Sequence, residues 1–363
     1  MTMRIRYSYS ILLLPLLFVA CSADDSSDTD KADGPVLHFT ASVKENVLSE
    51  NASTRAWADA YNSSLPASTS VYVFLYGYKG DGSADDTGID LSASQYSSTR
   101  KWIYETVGSV DLSSGKSLLK QISPIADELP ASQTDREPDD ALPKFPASLT
   151  QSTAYVDVFG LFLPPGSITS PAIENITPAT GSFIFSVPAD QTTEANVRAC
   201  DLLTNDVAAT FRSGAASINL EMKHRMAKVL VEFNASEDLN DDNLPNNTYL
   251  VENVQTSRTV TLKTGEISNS GASATITANI GEPFFLPPQT IAAGTEFLKF
   301  NLRNIGGGDV GIKNVTFKPT SALTFNEGVF YILTLNVGIR YITLTTTIKD
   351  WTGEIINFDK IIL

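Results

Sequence analysis

Ile218-Asn219-Leu220-Glu221-Met222-Lys223-His224-Arg225-Met226-Ala227-Lys228-Val229-Leu230-Val231-Glu232-Phe233 alternates apolar and polar residues for too long to be one flat strand. Its apolar face also changes. Ile218, Leu220 and Met222 share one parity, whereas Ala227, Val229, Val231 and Phe233 share the other. Successive strand residues point to opposite sides of a sheet, so a bulge or bend near His224 and Arg225 is needed to reconcile the halves.

The same period of two recurs on both sides of this run. Further strand candidates are residues 71–78, 102–107, 155–163, 182–187, 274–280, 297–303, 329–337 and 341–348, separated by clusters of Gly, Pro, Asn, Asp and Ser. Helical periodicity is scarce, with one short helix expected around Thr192 to Leu203. The chain therefore reads as all-β. The polar, mixed stretch from Asp190 to Ala216 places a domain boundary near Ser213, giving two β-sandwich domains, 36–213 and 214–363.

At the N-terminus, Arg4 and Arg6 precede an apolar run from Ile11 to Ala20 that ends at Cys21. About ten residues of helix cover about 15 Å, half of a bilayer's hydrocarbon core, so residues 1–20 read as a signal peptide rather than a span. Small residues before Cys21 are similar to the bacterial lipobox, in which the thiol is acylated and Cys21 becomes the first residue. Residues 21–35 are an acidic, solvated tether, and acidity just after a lipidated cysteine is similar to the signal for the outer face of the outer membrane.

A net charge of −15 over 363 residues disfavours polyanion partners, so nucleic acid is not expected. With Cys21 acylated, Cys200 has no intramolecular partner, and the fold must rest on its core.

Reactive groups are sparse, and neither an enzyme nor a cofactor is expected. His38 and His224 are the only histidines, and no spaced zinc motif contains them. Ser114-Gly115-Lys116-Ser117 lacks the earlier glycine of a phosphate loop, because Val110 stands in its place. Gly306-Gly307-Gly308 has no following helix and reads as a loop. Two acidic loops, 81–90 and 237–242, offer oxygen ligands for Ca²⁺ but match no calcium-loop spacing, so solvated surface loops are expected there.

Several segments, in order, resemble the fimbrillin-like family of Bacteroidetes, surface lipoproteins that form type V pili. They are Val36-Leu37-His38-Phe39-Thr40-Ala41; Thr54-Arg55-Ala56; Asp190-Gln191; Asp201-Leu202-Leu203; Leu220 to Val229; Phe285-Leu286-Pro287-Pro288-Gln289; and Ile348-Lys349-Asp350-Trp351. The resemblance implies tandem transthyretin-like Greek-key sandwiches and a pilus subunit, lipid-anchored through Cys21 and then part of the fimbrium. It also implies cleavage between Arg55 and Ala56 by a surface arginine-specific protease.

Leu37, Phe39, Ala41 and Val43 alternate, so the segment 36–55 reads as a removable first strand. Its loss would open a groove for a donor strand from another pilus subunit, and the alternating, apolar C-terminus, residues 341–363, is a candidate donor. The alternatives are a non-polymerising anchor or tip adhesin, and a free-standing surface lipoprotein that binds glycans.

Overall fold

The run from Ile218 to Phe233 divides at Arg225 and Met226 into two strands that join different sheets. The parity change is the place where the chain passes from one half of the molecule to the other. The computed structural model describes residues 33–36, 38–43, 65, 69–79, 101–111, 116–124, 144–146, 154–176, 181–206, 209–212, 217–262, 264–305, 313–350 and 355–356.

In chain order the first strands are β1 (Asp33–Val36), β2 (His38–Val43), β3 (Ser70–Lys79), β4 (Lys101–Asp111), β5 (Lys116–Pro124), β6 (Lys144–Pro146) and β7 (Ala154–Phe162). A crossing segment follows, with β8 (Ile168–Ser170), β9 (Ser182–Ser186), β10 (Asp190–Gln191) and helix α1 (Glu194–Arg198). The chain returns through β11 (Leu203–Asn205), β12 (Ala209–Arg212) and β13 (Ser217–His224). The remainder is β14 (Ala227–Ala235), β15 (Thr248–Thr261), β16 (Ile267–Asn279), β17 (Phe284–Leu286), β18 (Gln289–Ile291), β19 (Leu298–Leu302), β20 (Lys313–Phe317), β21 (Leu323–Phe325), β22 (Val329–Val337), β23 (Ile342–Asp350) and β24 (Ile355–Ile356).

The first large sheet runs β11-β13-β2-β5-β4-β3-β7-β12, and β11 also pairs with β7, so the sheet closes into a ring. Closure leaves β2 with a neighbour on each side. Inside the ring, Phe39, Ala41, Val43, Val71, Val73, Val158, Phe162, Ile218, Leu220 and Met222 are all buried. The opposite parity of β3 and β7 points outward: Phe74 pairs with Phe159, and both join the core of the other half together with Leu161.

That other half is a sandwich. One sheet runs β10-β16-β15-β19-β20, with β9 and β8 added along β15, and the facing sheet runs β17-β14-β22-β23-β24. Tyr249, Val251 and Phe300 from the first meet Val229, Val231, Phe284, Tyr331 and Leu333 from the second in one buried cluster. Phe233 and Phe300 meet edge to face with centroids 4.8 Å apart. Parallel pairings of β2 with β13, β10 with β16 and β14 with β22 tie segments far apart in sequence.

The expected boundary near Ser213 falls between β12 and β13, both members of the ring, while Ile168 to Gln191, which precede it, lie in the sandwich. The expected helix is shorter than the polar stretch suggested. Thr193 caps α1 by accepting from Asn196 N at 3.3 Å, and Leu203 already begins β11.

Candidate functional site

The slot occupied by β2 is the place where a strand near the N-terminus is held between two others. On one side β13 runs parallel to it, from His38 opposite Ser217 to Val43 opposite Met222. On the other, β5 runs antiparallel, with Thr40 opposite Leu118 and Ser42 opposite Lys116. Phe39, Ala41 and Val43 are 0%, 1% and 4% exposed, so three alternate side chains fill the ring from this strand. Burying them contributes on the order of 4 to 6 kcal/mol gross, opposed by about 1 to 2 kcal/mol for each residue ordered.

Across the ring, a Cβ at Gly160 of β7 would meet Leu220 Cδ1 at 2.9 Å and Met222 Sδ at 3.4 Å, so the glycine gives these two side chains of β13 room inside the ring. On the outer side, Thr40 Oγ1 donates to Asn219 Oδ1 at 3.1 Å, and Asn219 Nδ2 donates to Ser42 Oγ at 3.3 Å. These side-chain bonds join neutral groups.

A few residues further along β13 the chemistry changes. His224 Nδ1 lies 2.7 Å from Asp201 Oδ1, both buried. Arg225 donates from Nε to Thr204 Oγ1 at 2.7 Å, from Nη2 to the Asn205 carbonyl at 2.6 Å and from Nη1 to Glu327 at 2.9 Å. Arg258 donates to the other Glu327 oxygen at 3.0 Å and to the Arg225 carbonyl. Two buried guanidinium groups thus converge on one carboxylate where the chain leaves the ring for the sandwich. Burial lowers the Arg258 pKa from its ordinary value, with Glu327 opposing that shift. Burial alone would raise the Asp206 carboxyl, but Lys223 and Arg225 beside it hold it below the usual range.

Three side-chain amides take the place of missing strand pairing elsewhere in the chain's path. Gln191 accepts from Phe285 N at 2.8 Å and donates to Phe285 O at 2.9 Å. Gln289 accepts from Gln255 N at 2.8 Å and donates to Gln255 O at 3.0 Å. Asn205 accepts from Gly160 N at 2.9 Å and donates to Val158 O at 2.8 Å. Each satisfies one donor and one acceptor of a main chain, as a neighbouring strand would.

At the other end of the chain, β23 pairs with β22 over nine positions, from Val329 opposite Asp350 to Val337 opposite Ile342. Only Leu344 among its described side chains is buried, and the two-residue β24 forms the sheet edge beyond it. Cys21, Arg55 and Ala56 lie outside the described residues, as do the acidic loop 81–90 and Trp351. In the other acidic loop, Asp238 Oδ2 accepts from Ile339 N at 3.0 Å and Asn240 caps a short 3₁₀ turn. Among the described residues no cluster of His, Cys, Asp or Glu could hold a metal ion, and no helix could cross a membrane.

A family model described as fimbrillin-like matches residues 169–351, which include α1, the Arg225 junction and the sandwich apart from Ile168 and β24. The chain belongs to the fimbrillin-like family. It is accordingly a structural protein of the fimbrial and adhesion class and not an enzyme. In fold, this fimbrillin-like chain is similar to candidate cell adhesion proteins from Bacteroides ovatus (TM-score 0.53, 15% identity, covering 89% of this chain and 100% of that one) and Bacteroides uniformis (TM-score 0.50, 15% identity, 88% and 100%). It also aligns with the tip fimbrial protein Mfa3 from Porphyromonas gingivalis (TM-score 0.42, 10% identity, 87% and 100%). No curated protein matches the sequence.

Several motifs behind the family resemblance bond one another: Gln191 bonds Phe285 of the segment that ends in the Pro-Gln turn, and Asp201 bonds His224 of the segment Leu220 to Val229. Sequence reading missed Arg258, Glu327 and Asn205. Arg258 and Glu327 are isolated charges in polar surroundings, and Asn205 looks like any loop asparagine.

Proposed function

We propose that this chain is a type V pilus subunit, exported as a lipoprotein acylated at Cys21, cut between Arg55 and Ala56 by a surface arginine-specific protease, and assembled by strand exchange. The observation carrying this reading is the position of β2, central in a closed sheet yet followed at once in sequence by the segment containing Arg55. Cutting there would leave β2 without a covalent link to the rest of the chain. Its departure would turn β13 and β5 into facing open edges above an apolar channel lined by Ile218, Leu220 and Met222, a form that seeks another strand. In this reading the ring accepts a strand and the sandwich ends in the strand to be offered. The subunit's partners are its neighbours in the pilus and, before maturation, the outer membrane.

A second reading, a non-polymerising anchor or tip subunit, is favoured by the nine-position pairing of β23 with β22, because a strand so paired is costly to release. Polymers formed by the full-length cleaved chain exclude the second reading, and deleting residues 353–363 then tests the donor: loss of polymers with retained folding supports strand donation, and undiminished polymers contradict it. Mass spectrometry of the mature surface protein tests the processing steps. A chain beginning at Ala56 is expected, preceded by a membrane form beginning at lipidated Cys21. A mature chain that still contains Arg55-Ala56, or an Arg55→Ala variant with unchanged mature mass, contradicts the proposal.

A further inference from the structure

Given strand exchange at the β2 slot, on which this rests, we infer that Asn219 is the residue by which the slot chooses its strand. The strand it accepts from a second copy of this chain is the stretch Leu344 to Ile348 of β23. In β2, Phe39-Thr40-Ala41-Ser42-Val43 sets a small residue between two hydroxyl residues, with a large apolar residue at each end. Phe39, Ala41 and Val43 are buried in the ring, whereas Thr40 and Ser42 are half-buried on its outer side. There Asn219, opposite Thr40 in the parallel pairing, accepts from Thr40 Oγ1 at 3.1 Å and donates to Ser42 Oγ at 3.3 Å. One amide spans two successive hydroxyls, because it carries both the acceptor and the donor that this requires.

Main-chain pairing with β13 and β5 holds any extended segment, and the ring interior asks for apolar side chains of fitting size. The Asn219 amide adds a demand on chemistry. An aliphatic residue at either hydroxyl position leaves one end of the amide against an apolar group. The site is half-buried, so water offsets part of that loss and the resulting preference is moderate.

Elsewhere in the sequence only Leu344-Thr345-Thr346-Thr347-Ile348 sets a Gly, Ala, Ser or Thr between two hydroxyl residues with a large apolar residue on both flanks. Aligned in the direction of β2, Leu344 takes the place of Phe39, Thr346 of Ala41 and Ile348 of Val43, and Thr345 and Thr347 meet Asn219. Leucine for phenylalanine gives back room that threonine for alanine takes, so the filling of the ring is nearly conserved. In β23 only Leu344 of these three is buried, while Thr346 and Ile348 are half-buried. The slot buries all three corresponding positions. Transfer therefore buries more of Ile348, and it exchanges one pair of strand neighbours, β22 and β24, for another, β13 and β5.

The test is competition for the slot of the full chain cut after Arg55. A dye-labelled peptide of residues 37–45 is bound first, then displaced by unlabelled peptides of residues 342–350, either unaltered or carrying Thr345→Val and Thr347→Val. Valine keeps the shape and strand propensity of threonine and removes only the hydroxyl. Two neutral hydrogen bonds are at stake, so the unaltered peptide should displace the label at about one-tenth of the concentration that the valine peptide needs. An Asn219→Ala chain should show no such preference. A labelled 37–45 peptide with Thr40→Val and Ser42→Val should bind the unaltered chain about ten-fold more weakly, a result independent of how the Asn219→Ala chain folds. Equal displacement by the two 342–350 peptides, a preference that survives Asn219→Ala, or displacement by neither overturns the inference and leaves strand exchange standing. Failure of the unaltered 37–45 peptide to enter the slot overturns strand exchange at β2 and this inference with it.

Discussion

The β2 slot and the Arg225 junction are separated by a few residues of the same strand, yet they are held by opposite means. In the slot, Phe39, Ala41 and Val43 enter a ring with main-chain pairing on both sides and neutral side-chain bonds outside. At the junction, Arg225 and Arg258 share Glu327, and His224 meets Asp201. Apolar burial and main-chain pairing can be supplied again by any strand of suitable pattern, whereas a buried charge network needs its particular partners. Under the proposed strand exchange, the slot suits replacement of its contents and the junction suits permanence.

Breaking the junction should therefore cost most. Arg225→Ala removes the donor to Thr204 Oγ1, one of the two arginines on Glu327 and one of the two donors to the Asn205 carbonyl, and we expect a loss of about 3 to 5 kcal/mol in urea unfolding. Gln191→Ala removes the side chain that accepts from Phe285 N and donates to Phe285 O, for an expected loss of about 2 to 4 kcal/mol by the same measurement. Within the ring, Gly160→Ala forces a methyl group against Leu220, and a loss of about 1 to 3 kcal/mol is expected, with weaker retention of β2 in limited proteolysis.

The smallest effect distinguishes the two regions by pH. The Asp206 carboxyl is held below its usual range by Lys223 and Arg225, so its contribution is fully present above the unfolded carboxylate value of about 3.9. It is lost as pH falls through the lower folded value. Amide exchange near Lys223 and Arg225 should rise on acidification before exchange at Thr40 to Ser42, whose side-chain bonds in the slot are neutral.

Much of the slot was legible in the sequence, because alternation at Phe39, Ala41 and Val43 and at Ile218, Leu220 and Met222 reports burial directly. Alternation failed where the backbone breaks its own period. In β15, Asn253 adopts φ 58° and the register shifts twice, so Val251 and Val254 are both buried and the fourteen-residue strand does not read as one. The division of Ile218 to Phe233 was visible as a change of parity, but its consequence was not, since parity cannot say that the halves enter different sheets. The junction and the bridging amides were visible only as motifs: Gln191, Gln289 and Arg225 sit in recognisable segments, while the groups they bind lie tens of residues away.

The central claim is that the slot can be emptied while the junction and sandwich stay intact. Hydrogen exchange, compared before and after an arginine-specific protease has cut the chain and β2 has been displaced, tests it directly. The account predicts faster exchange in β13 and β5, with Leu203 to Asn205, Ala227 to Ala235 and Phe284 to Ile291 as protected as before. Loss of protection throughout the sandwich, or no change in β13 and β5, would contradict it.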